Sequence, residues 1–460
     1  MQLISLQLLV RINDLINDGE FAMKVSVFGL GYIGTVTAAA LARAGHDVTG
    51  VDINEKKIEL VNSGKSPIYE VRMDELIEEG TTEGRLKATF DARNALLESG
   101  VSIISVGTPA SEDGSLDTTY LRRVCTKLGQ VFANKDGFHT FVVRTTVLPG
   151  MTEDIVIPTI EEHSGKKVFI DFDVCVNPHF LRIGSLVDDY YNPPFTLIGE
   201  QEGSAAGGNI AGLYGDIEAP VVRTSLRGAE VVKYVSDSFH ALKICFANEI
   251  GTLCKRAGID SDEIMEIFKM DERLNLSGSY LMPGFSFGGP SVSSNIRALL
   301  NLAGESGMSL PLLSSIIDSN SKHIERAYRM IKDSGGKRIG FYGLAFKPGT
   351  DELRDSPLVR LAEMLLGDNY EMLFHDKMIS PSRLVDANES FIRERIPGFE
   401  KMLAGSFDEL YAWSDVLVIG HTTDELEYLI SMDSDKIVID LVRIAKDLSD
   451  AGDNYRGICW

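Results

Sequence analysis

The first residues able to do chemistry are three glycines. Val27-Phe28-Gly29-Leu30-Gly31-Tyr32-Ile33-Gly34 sets them in the order Gly-x-Gly-x-x-Gly. The string follows a β-rich run, Lys24–Phe28, and precedes a stretch of helical character, Thr35–Ala44. Asp52 comes 18 residues after Gly34, at the end of the next β-rich run, Asp47–Val51. Each part has a task at a dinucleotide. Gly29 permits a tight turn, Gly31 lets the backbone approach a pyrophosphate, and Gly34 lets helix and strand pack closely. The helix start offers unpaired N–H groups and a positive dipole end to the phosphates. Asp52 can accept both hydrogen bonds of an adenosine ribose diol and would repel a 2′-phosphate, so the pattern points to NAD rather than NADP.

Two more loops fall where such a sheet would present a ligand. They are Gly107-Thr108-Pro109, after Val101–Val106, and Thr145-Thr146-Val147-Leu148-Pro149-Gly150, after Thr140–Val143. The hydroxyls of Thr108 and Thr146 can reach a ribose or nicotinamide from the carboxyl ends of central strands. Taken alone, such a loop is more often a helix cap or turn than a ligand contact.

These residues need a parallel sheet to hold them. Phe195–Ile198 continues the strand series, and Thr118–Phe132 is a helical run between strands. Such alternation predicts helices on both faces of a parallel sheet. From about Ser225 to Met270 the apolar spacing turns helical, and Ser277 to Ser294 is rich in Gly, Ser and Pro and reads as loop. A second alternation begins at Lys337. It contains strand candidates Arg338–Tyr342, Glu371–Phe374, Asp415–Ile419 and Lys436–Ile439, with a helix at Pro357–Leu366. The expected fold is α/β: two Rossmann-like doubly wound parallel-sheet lobes joined by a long central helix. The expected domains are an extension (1–22), an NAD-binding domain (23–223), a central helical domain (224–322) and a C-terminal α/β domain (323–460), and the resemblance described below implies dimerisation by the central one and nucleotide-sugar binding by the last.

Composition narrows the partners. A chain of 460 residues exceeds one ordinary core. A net charge of −22 argues against nucleic acid, whose phosphates 67 acidic side chains would repel. No run of 18 apolar residues suggests a membrane span. The five cysteines (Cys125, Cys175, Cys245, Cys254 and Cys459) are scattered and never form a CxxC pair. That spacing fits reduced thiols in a cytoplasm better than disulfides or a zinc site, and no metal is expected. Leu3–Val10 is apolar but has no basic region before it and no small-residue cleavage site after it, so Met23 is expected to be the working start.

With these strings in place the chain resembles the UDP-glucose/GDP-mannose dehydrogenase family, most closely its GDP-mannose branch. The resemblance runs from Met23 to Trp460. It rests on VFGLGYIG, GKSPIYE, VGTP, RTTVLPG, NPHFLR, KICFANEIG, PGFSFGG, LAFKPGTDELRDSPL and GICW. It implies NAD contacts at Tyr32, Ile33, Asp52, Lys57, Thr108, Thr146 and Arg354. It implies nucleotide-sugar contacts at Lys233, His240, Asn248, Tyr280, Phe285, Gly288 and Lys347. It also implies a homodimer built on the central helix. Members of the family oxidise the sugar C6 alcohol to a carboxylate with two NAD, through a cysteine-bound thiohemiacetal and thioester.

The sequence departs from the family where that chemistry is done. The family pattern FGGSCLPKD reads here Phe287-Gly288-Gly289-Pro290-Ser291-Val292-Ser293-Ser294-Asn295, so Ser291 holds the cysteine position. A thiol near pKa 8.5 ionises readily, whereas a serine needs an adjacent base. The glutamates of the family's NPEFLRE are His179 and Ile183 here. Lys233 matches the family lysine that stabilises oxyanion charge, but its asparagine partner is Asp237. The string RYYMRPGF has become Gly278-Ser279-Tyr280-Leu281-Met282-Pro283-Gly284-Phe285, without either arginine, and SPIVEPG has become Ser66 to Arg72.

Three functions are therefore compared. The first is an NAD-dependent nucleotide-sugar 6-dehydrogenase acting on GDP-mannose or a UDP-hexose, stopping at the aldehyde, with Thr146, Lys233, Asp237 and Ser291 as candidate catalytic groups. The second is a non-catalytic NAD- and nucleotide-binding protein that pairs with an active paralogue. The third, a small hydroxy-acid dehydrogenase, is disfavoured by the second α/β lobe carrying FKPGTDELRDSP.

Overall fold

The computed structural model describes residues 22–109, 114–204, 206–273, 277, 279–305, 307–379, 386–421, 426, 428–429, 436–444 and 451–460. Residues 1–21 of the expected extension and Gly278 of the sugar-side string lie outside the described residues. The chain forms two compact units, Met1–Ser111 with Leu116–Tyr234, and Glu112–Ser115 with Val235–Trp460.

The first unit carries eight strands: β1 (Lys24–Phe28), β2 (Asp47–Val51), β3 (Leu86–Thr89), β4 (Val101–Ile104), β5 (His139–Val143), β6 (Phe172–Val176), β7 (Thr196–Gly199) and β8 (Val221–Thr224). Their order is β3-β2-β1-β4-β5-β6-β7-β8. The first six are parallel and follow the doubly wound dinucleotide-binding order, which reverses between β1 and β4. β7 runs antiparallel to β6 and parallel to β8, which extends the sheet past its parallel core. Alternate residues of the central strands enter opposite cores. Val25, Val27, Val101 and Ile103 join the cluster that holds helix α1 (Tyr32–Arg43). Phe28, Ile104, Phe141 and Val143 join the other. That two-sided burial explains strands that read as continuous apolar runs.

The second unit carries β9 (Arg338–Tyr342), β10 (Glu371–His375), β11 (Val416–Ile419), β12 (Ile437–Asp440) and β13 (Tyr455–Gly457), all parallel, in the order β10-β9-β11-β12-β13. This is the other common doubly wound order, reversing between β9 and β11. Ile339, Phe341, Val416 and Val418 face one core, and Tyr342, Leu417 and Ile419 face the other.

The predicted central helical run is α2 (Leu226–Ala257), 32 residues long, followed by the shorter helix Ser261–Lys269. α2 begins in the first unit and continues into the second. Helix α3 (Val292–Glu305) starts inside the stretch expected to be loop, so that loop ends at Ser291 rather than Ser294. α4 (Pro311–Lys332) and α5 (Pro357–Gly367) each open with proline, whose missing N–H costs nothing there. No helix among the described residues is long and apolar enough to cross a membrane.

Candidate functional site

In the first unit the glycine string is the turn from β1 into α1. Gly29 has φ +99°, and a Cβ there would lie 2.5 Å from the Ser105 carbonyl oxygen. A Cβ on Gly34 would lie 1.8 Å from the Gly29 oxygen, so backbone meets backbone at both positions. Gly31 differs: a Cβ there would meet nothing within 4 Å. Packing does not demand that glycine, and the open space above it is the cradle a pyrophosphate needs. Gly31 caps α1 without any side-chain hydrogen bond, and the first turn carries no acid, so its N–H groups stay available to an anion.

Asp52 stands at the end of β2, its two oxygens accepting from the amides of Leu30, at 2.7 Å, and Asn54, at 2.9 Å. Lys57 Nζ lies 3.9 Å away. A carboxylate has about four lone-pair directions, so these bonds orient it without exhausting its capacity for a ribose diol. Ile53, next in sequence, is 94% exposed. An apolar side chain left in water beside the ribose carboxylate offers a face to an adenine ring, and the sequence reading missed it. Tyr32 and Ile33 pack against the α1 core. Thr108 Oγ1 donates to the Thr146 carbonyl at 2.6 Å, which joins the loops after β4 and β5. Of the two roles left open for these loops, the Thr108 hydroxyl takes the turn role. The residues fit NAD.

Two cations of the first unit are buried. Arg144, after β5, donates to Tyr214 Oη at 2.8 Å and to Asn177 Oδ1. Lys233, on α2, is also buried. The ring of His179, in the loop after β6, has its Nδ1 enclosed without a hydrogen-bond partner. Burial, then the charges of Lys233 and Arg144, hold its imidazole well below the usual histidine range.

In the second unit the Phe-Gly-Gly loop is tied down on all sides. Asn248, buried on α2, donates to the Phe285 carbonyl at 3.3 Å and accepts from the Gly284 amide at 3.0 Å. Asn320 on α4 makes the same pair of bonds to Phe287, both 3.0 Å, and sequence reading missed this residue. A Cβ on Gly288 would lie 2.4 Å from the Asp355 oxygen. His240 and Tyr280 stack with ring centroids 4.9 Å apart. Phe285 packs against the second-unit core. Lys347 Nζ lies 5.8 Å from the Phe346 ring, and Arg354 forks onto buried Glu352, with Nε to Oε1 at 2.9 Å.

Ser291 precedes α3, and its carbonyl accepts from the Asn295 amide at 2.8 Å. Asn295 Nδ2 donates to Asp237 Oδ2 at 2.6 Å, joining α3 to α2 through two buried side chains. All five cysteines are free and buried. Burial pushes the thiols of Cys245 and Cys459 up to about 11 and that of Cys125 to about 12, so none of these three offers a thiolate in place of the one absent at Ser291.

The sequence-predicted residues therefore sort by unit. Gly29, Gly31, Tyr32, Ile33, Gly34, Asp52, Lys57, Thr108, Thr146 and Lys233 lie in the first. Asp237, His240, Asn248, Tyr280, Phe285, Gly288, Ser291, Lys347 and Arg354 lie in the second.

Three models of one family match in sequence along the chain: its NAD binding domain at residues 23–218, its central domain at 227–322 and its UDP binding domain at 340–447. The chain belongs to the UDP-glucose/GDP-mannose dehydrogenase family. Its cofactor is NAD, and the family-level function is that of NAD-dependent nucleotide-sugar dehydrogenases. The GDP-mannose 6-dehydrogenase of Pseudomonas aeruginosa is 42% identical over 439 residues, 95% of this chain and 100% of the relative. The UDP-glucose 6-dehydrogenase of Haloferax volcanii is 34% identical over 433 residues, 92% of this chain and 97% of the relative. Among solved structures, a UDP-glucose dehydrogenase from Pyrobaculum islandicum has 31% identity and a TM-score of 0.86, covering 96% of this chain and 99% of that one. A ternary complex of GDP-mannose dehydrogenase from Pseudomonas aeruginosa has 42% identity and a TM-score of 0.55, covering 95% and 100%.

Proposed function

We propose that this protein binds NAD and a nucleotide hexose, GDP-mannose by its similarity to the Pseudomonas enzymes, and oxidises the C6 alcohol no further than the aldehyde. The observation that carries this reading is Ser291. Hydride transfer needs a positioned alcohol, a cation for the developing oxyanion and NAD, with no thiol. The second oxidation in the family runs through a thioester, and a serine hydroxyl without a base forms no equivalent at a useful rate. Lys233 supplies the oxyanion charge and Thr146 orients the reacting groups. Lys347 and Arg354 supply cationic contacts for phosphate-bearing ligands.

The test is stoichiometric. Purified protein with NAD and GDP-mannose gives one NADH per sugar, and an aldehyde trap captures the product. Two NADH per sugar would overturn the reading. NAD binding without any turnover would favour the non-catalytic alternative. Ser291→Cys raises the yield above one only if the remaining groups still support hydrolysis.

We also propose that a second copy of the chain covers α2. Val235, Phe239, Phe246 and Leu253 are exposed along it, the last three spaced by seven residues. From Phe239 to Leu253 this stripe spans about 21 Å at 1.5 Å per residue. An isologous helix pair buries such a stripe against itself. Leu253→Glu should convert a dimer to monomers in sedimentation velocity. An unchanged sedimentation coefficient would remove this assignment.

A further inference from the structure

The loop from Thr145 to Gly150 is fastened at both ends. At its start the Thr145 hydroxyl donates to the Val106 carbonyl at 2.9 Å, and the Thr108 hydroxyl holds the Thr146 carbonyl. At its end one carboxylate holds two amides. Glu230, 2% exposed on α2, accepts from Gly150 at 2.6 Å through one oxygen and from Thr152 at 2.9 Å through the other. Both amides lie where the π-helical turn Thr152–Val156 begins, ahead of the helix Ile157–Ser164. Gly150 has φ +98°, so the backbone takes a left-handed turn at the point that Glu230 grips. Arg227, one turn earlier on α2, pairs with Glu153 beside the same helix start. Between the two fastenings Val147 and Leu148 are buried. Thr146 is half-buried, and among the described residues its hydroxyl makes no hydrogen bond. A carboxylate out of water is costly unless its oxygens are bonded, and here both bonds go to one loop end.

We propose that Glu230 is the positioning residue for the nicotinamide end of NAD: its two bonds fix the end of the loop after β5 and so hold the Thr146 hydroxyl against the nicotinamide riboside. This rests on the oxidation reading above, in which Thr146 orients the reacting groups. The strand order sets the direction. Asp52 follows β2, the glycine turn follows β1, and the Thr145–Gly150 loop follows β5. A dinucleotide gripped at Asp52 and over Gly31 therefore runs across β4 towards that loop. From β2 to β5 is three strand spacings, about 14 Å at ~4.8 Å each. The adenosine half is held by parts that Glu230 does not touch. The nicotinamide half meets a loop whose free hydroxyl keeps its place only through the anchors at either end. Both groups that Glu230 holds are N–H donors, so a carboxylate satisfies them where a side-chain amide would turn an NH₂ on one of the two.

The test is binding to the full-length chain and needs no turnover. ADP keeps the adenosine and diphosphate of NADH and lacks its nicotinamide riboside. In calorimetry Glu230→Gln should weaken NADH about tenfold or more while ADP changes by less than about twofold. The nicotinamide is itself the fluorophore, so the emission of bound NADH should move towards that of free NADH in the same variant. Glu230→Asp keeps the charge but reaches one amide at most. It should show the same selective loss, and it carries the test if Glu230→Gln does not fold. Equal weakening of ADP and NADH, or of neither, overturns the proposal. Combining either variant with Thr146→Ala decides whether Glu230 acts through Thr146: the losses in NADH affinity should be less than additive, and additive losses overturn that route. Should the unmodified protein form no NADH from GDP-mannose, the oxidation reading fails, and the NADH and ADP affinities still decide the role of Glu230.

Discussion

The turn from β1 to α1 and the loop from Gly284 to Ser291 are both built on glycines that backbone presses against. Gly34 abuts the Gly29 oxygen and Gly288 abuts the Asp355 oxygen. Their polar groups have gone different ways. Around the first turn the helix start is uncapped, the space over Gly31 is open, and Asp52 keeps lone pairs for a ligand. Around the second loop Asn248 and Asn320 bond the loop's own backbone, and Asn295 is joined to Asp237. Glycines held by backbone contact persist because any side chain there breaks the fold. A reactive side chain such as the one replaced by Ser291 has no such protection and can change while the loop around it stays.

The sharpest way to break this contrast is Gly34→Ala. Its Cβ would lie 1.8 Å from a backbone oxygen that no rotamer can move, so the turn itself must open. Calorimetry should show NAD affinity falling more than about a thousandfold, beyond 4 kcal/mol. Gly31→Ala meets no protein atom, so it should leave thermal stability unchanged while weakening NAD. Equal loss of stability in both variants would show that Gly31 is a packing glycine after all.

Acid should act on both units through buried histidines. His139, at the start of β5 and bonded to Ser102 of β4 at 2.8 Å, is lowered to about 3, chiefly by burial. His323, on the Gly284 carbonyl in the second unit, is lowered to about 4, again chiefly by burial. Each unfolded histidine takes a proton near pH 6.5 that the folded one refuses. Stability is therefore fully present above that pH and is lost as pH falls towards the folded values, by up to about 1.4 kcal/mol per unit for each residue. Denaturant midpoints between pH 7 and pH 4 should fall less in His323→Gln than in the parent.

The first sheet was largely legible because its strands are buried on both faces and bounded by glycines. β1, β2 and β9 match the apolar runs residue for residue. β3, β6 and β8 were not seen. β3 reads Leu-Lys-Ala-Thr and β8 Val-Val-Arg-Thr, too short and polar to stand out, and β6 is interrupted by Asp173. The site residues that glycine strings or matched motifs marked were legible. Ile53, Asn320 and the unpartnered nitrogen of His179 were not, because exposure and missing partners are properties of three-dimensional neighbours. Asp237 shows the same limit. Sequence alone marks it as a negative charge one turn from Lys233, and the structure adds that this carboxylate accepts an amide from α3.

That pair supports the finest test of how far the second loop has been rewired. Asp237 and Asn295 are 2.6 Å apart and buried, with the amide donating to the carboxylate. Asn295→Asp alone sets two carboxylates at this distance, which raises the pKa of the pair in the folded state. Its stability should then be greatest at low pH and decline as pH rises through the raised value, opposite in sign to the histidine effect. Asp237→Asn alone keeps a donor and an acceptor in place and weakens a charge-assisted bond to a neutral one, a smaller loss. The double variant, with the acid and amide exchanged, restores one carboxylate and one amide across α2 and α3. A cycle of unfolding free energies at pH 7 should therefore give a coupling of about 1–3 kcal/mol in favour of the exchanged pair. Additive losses would mean that the two side chains do not act together.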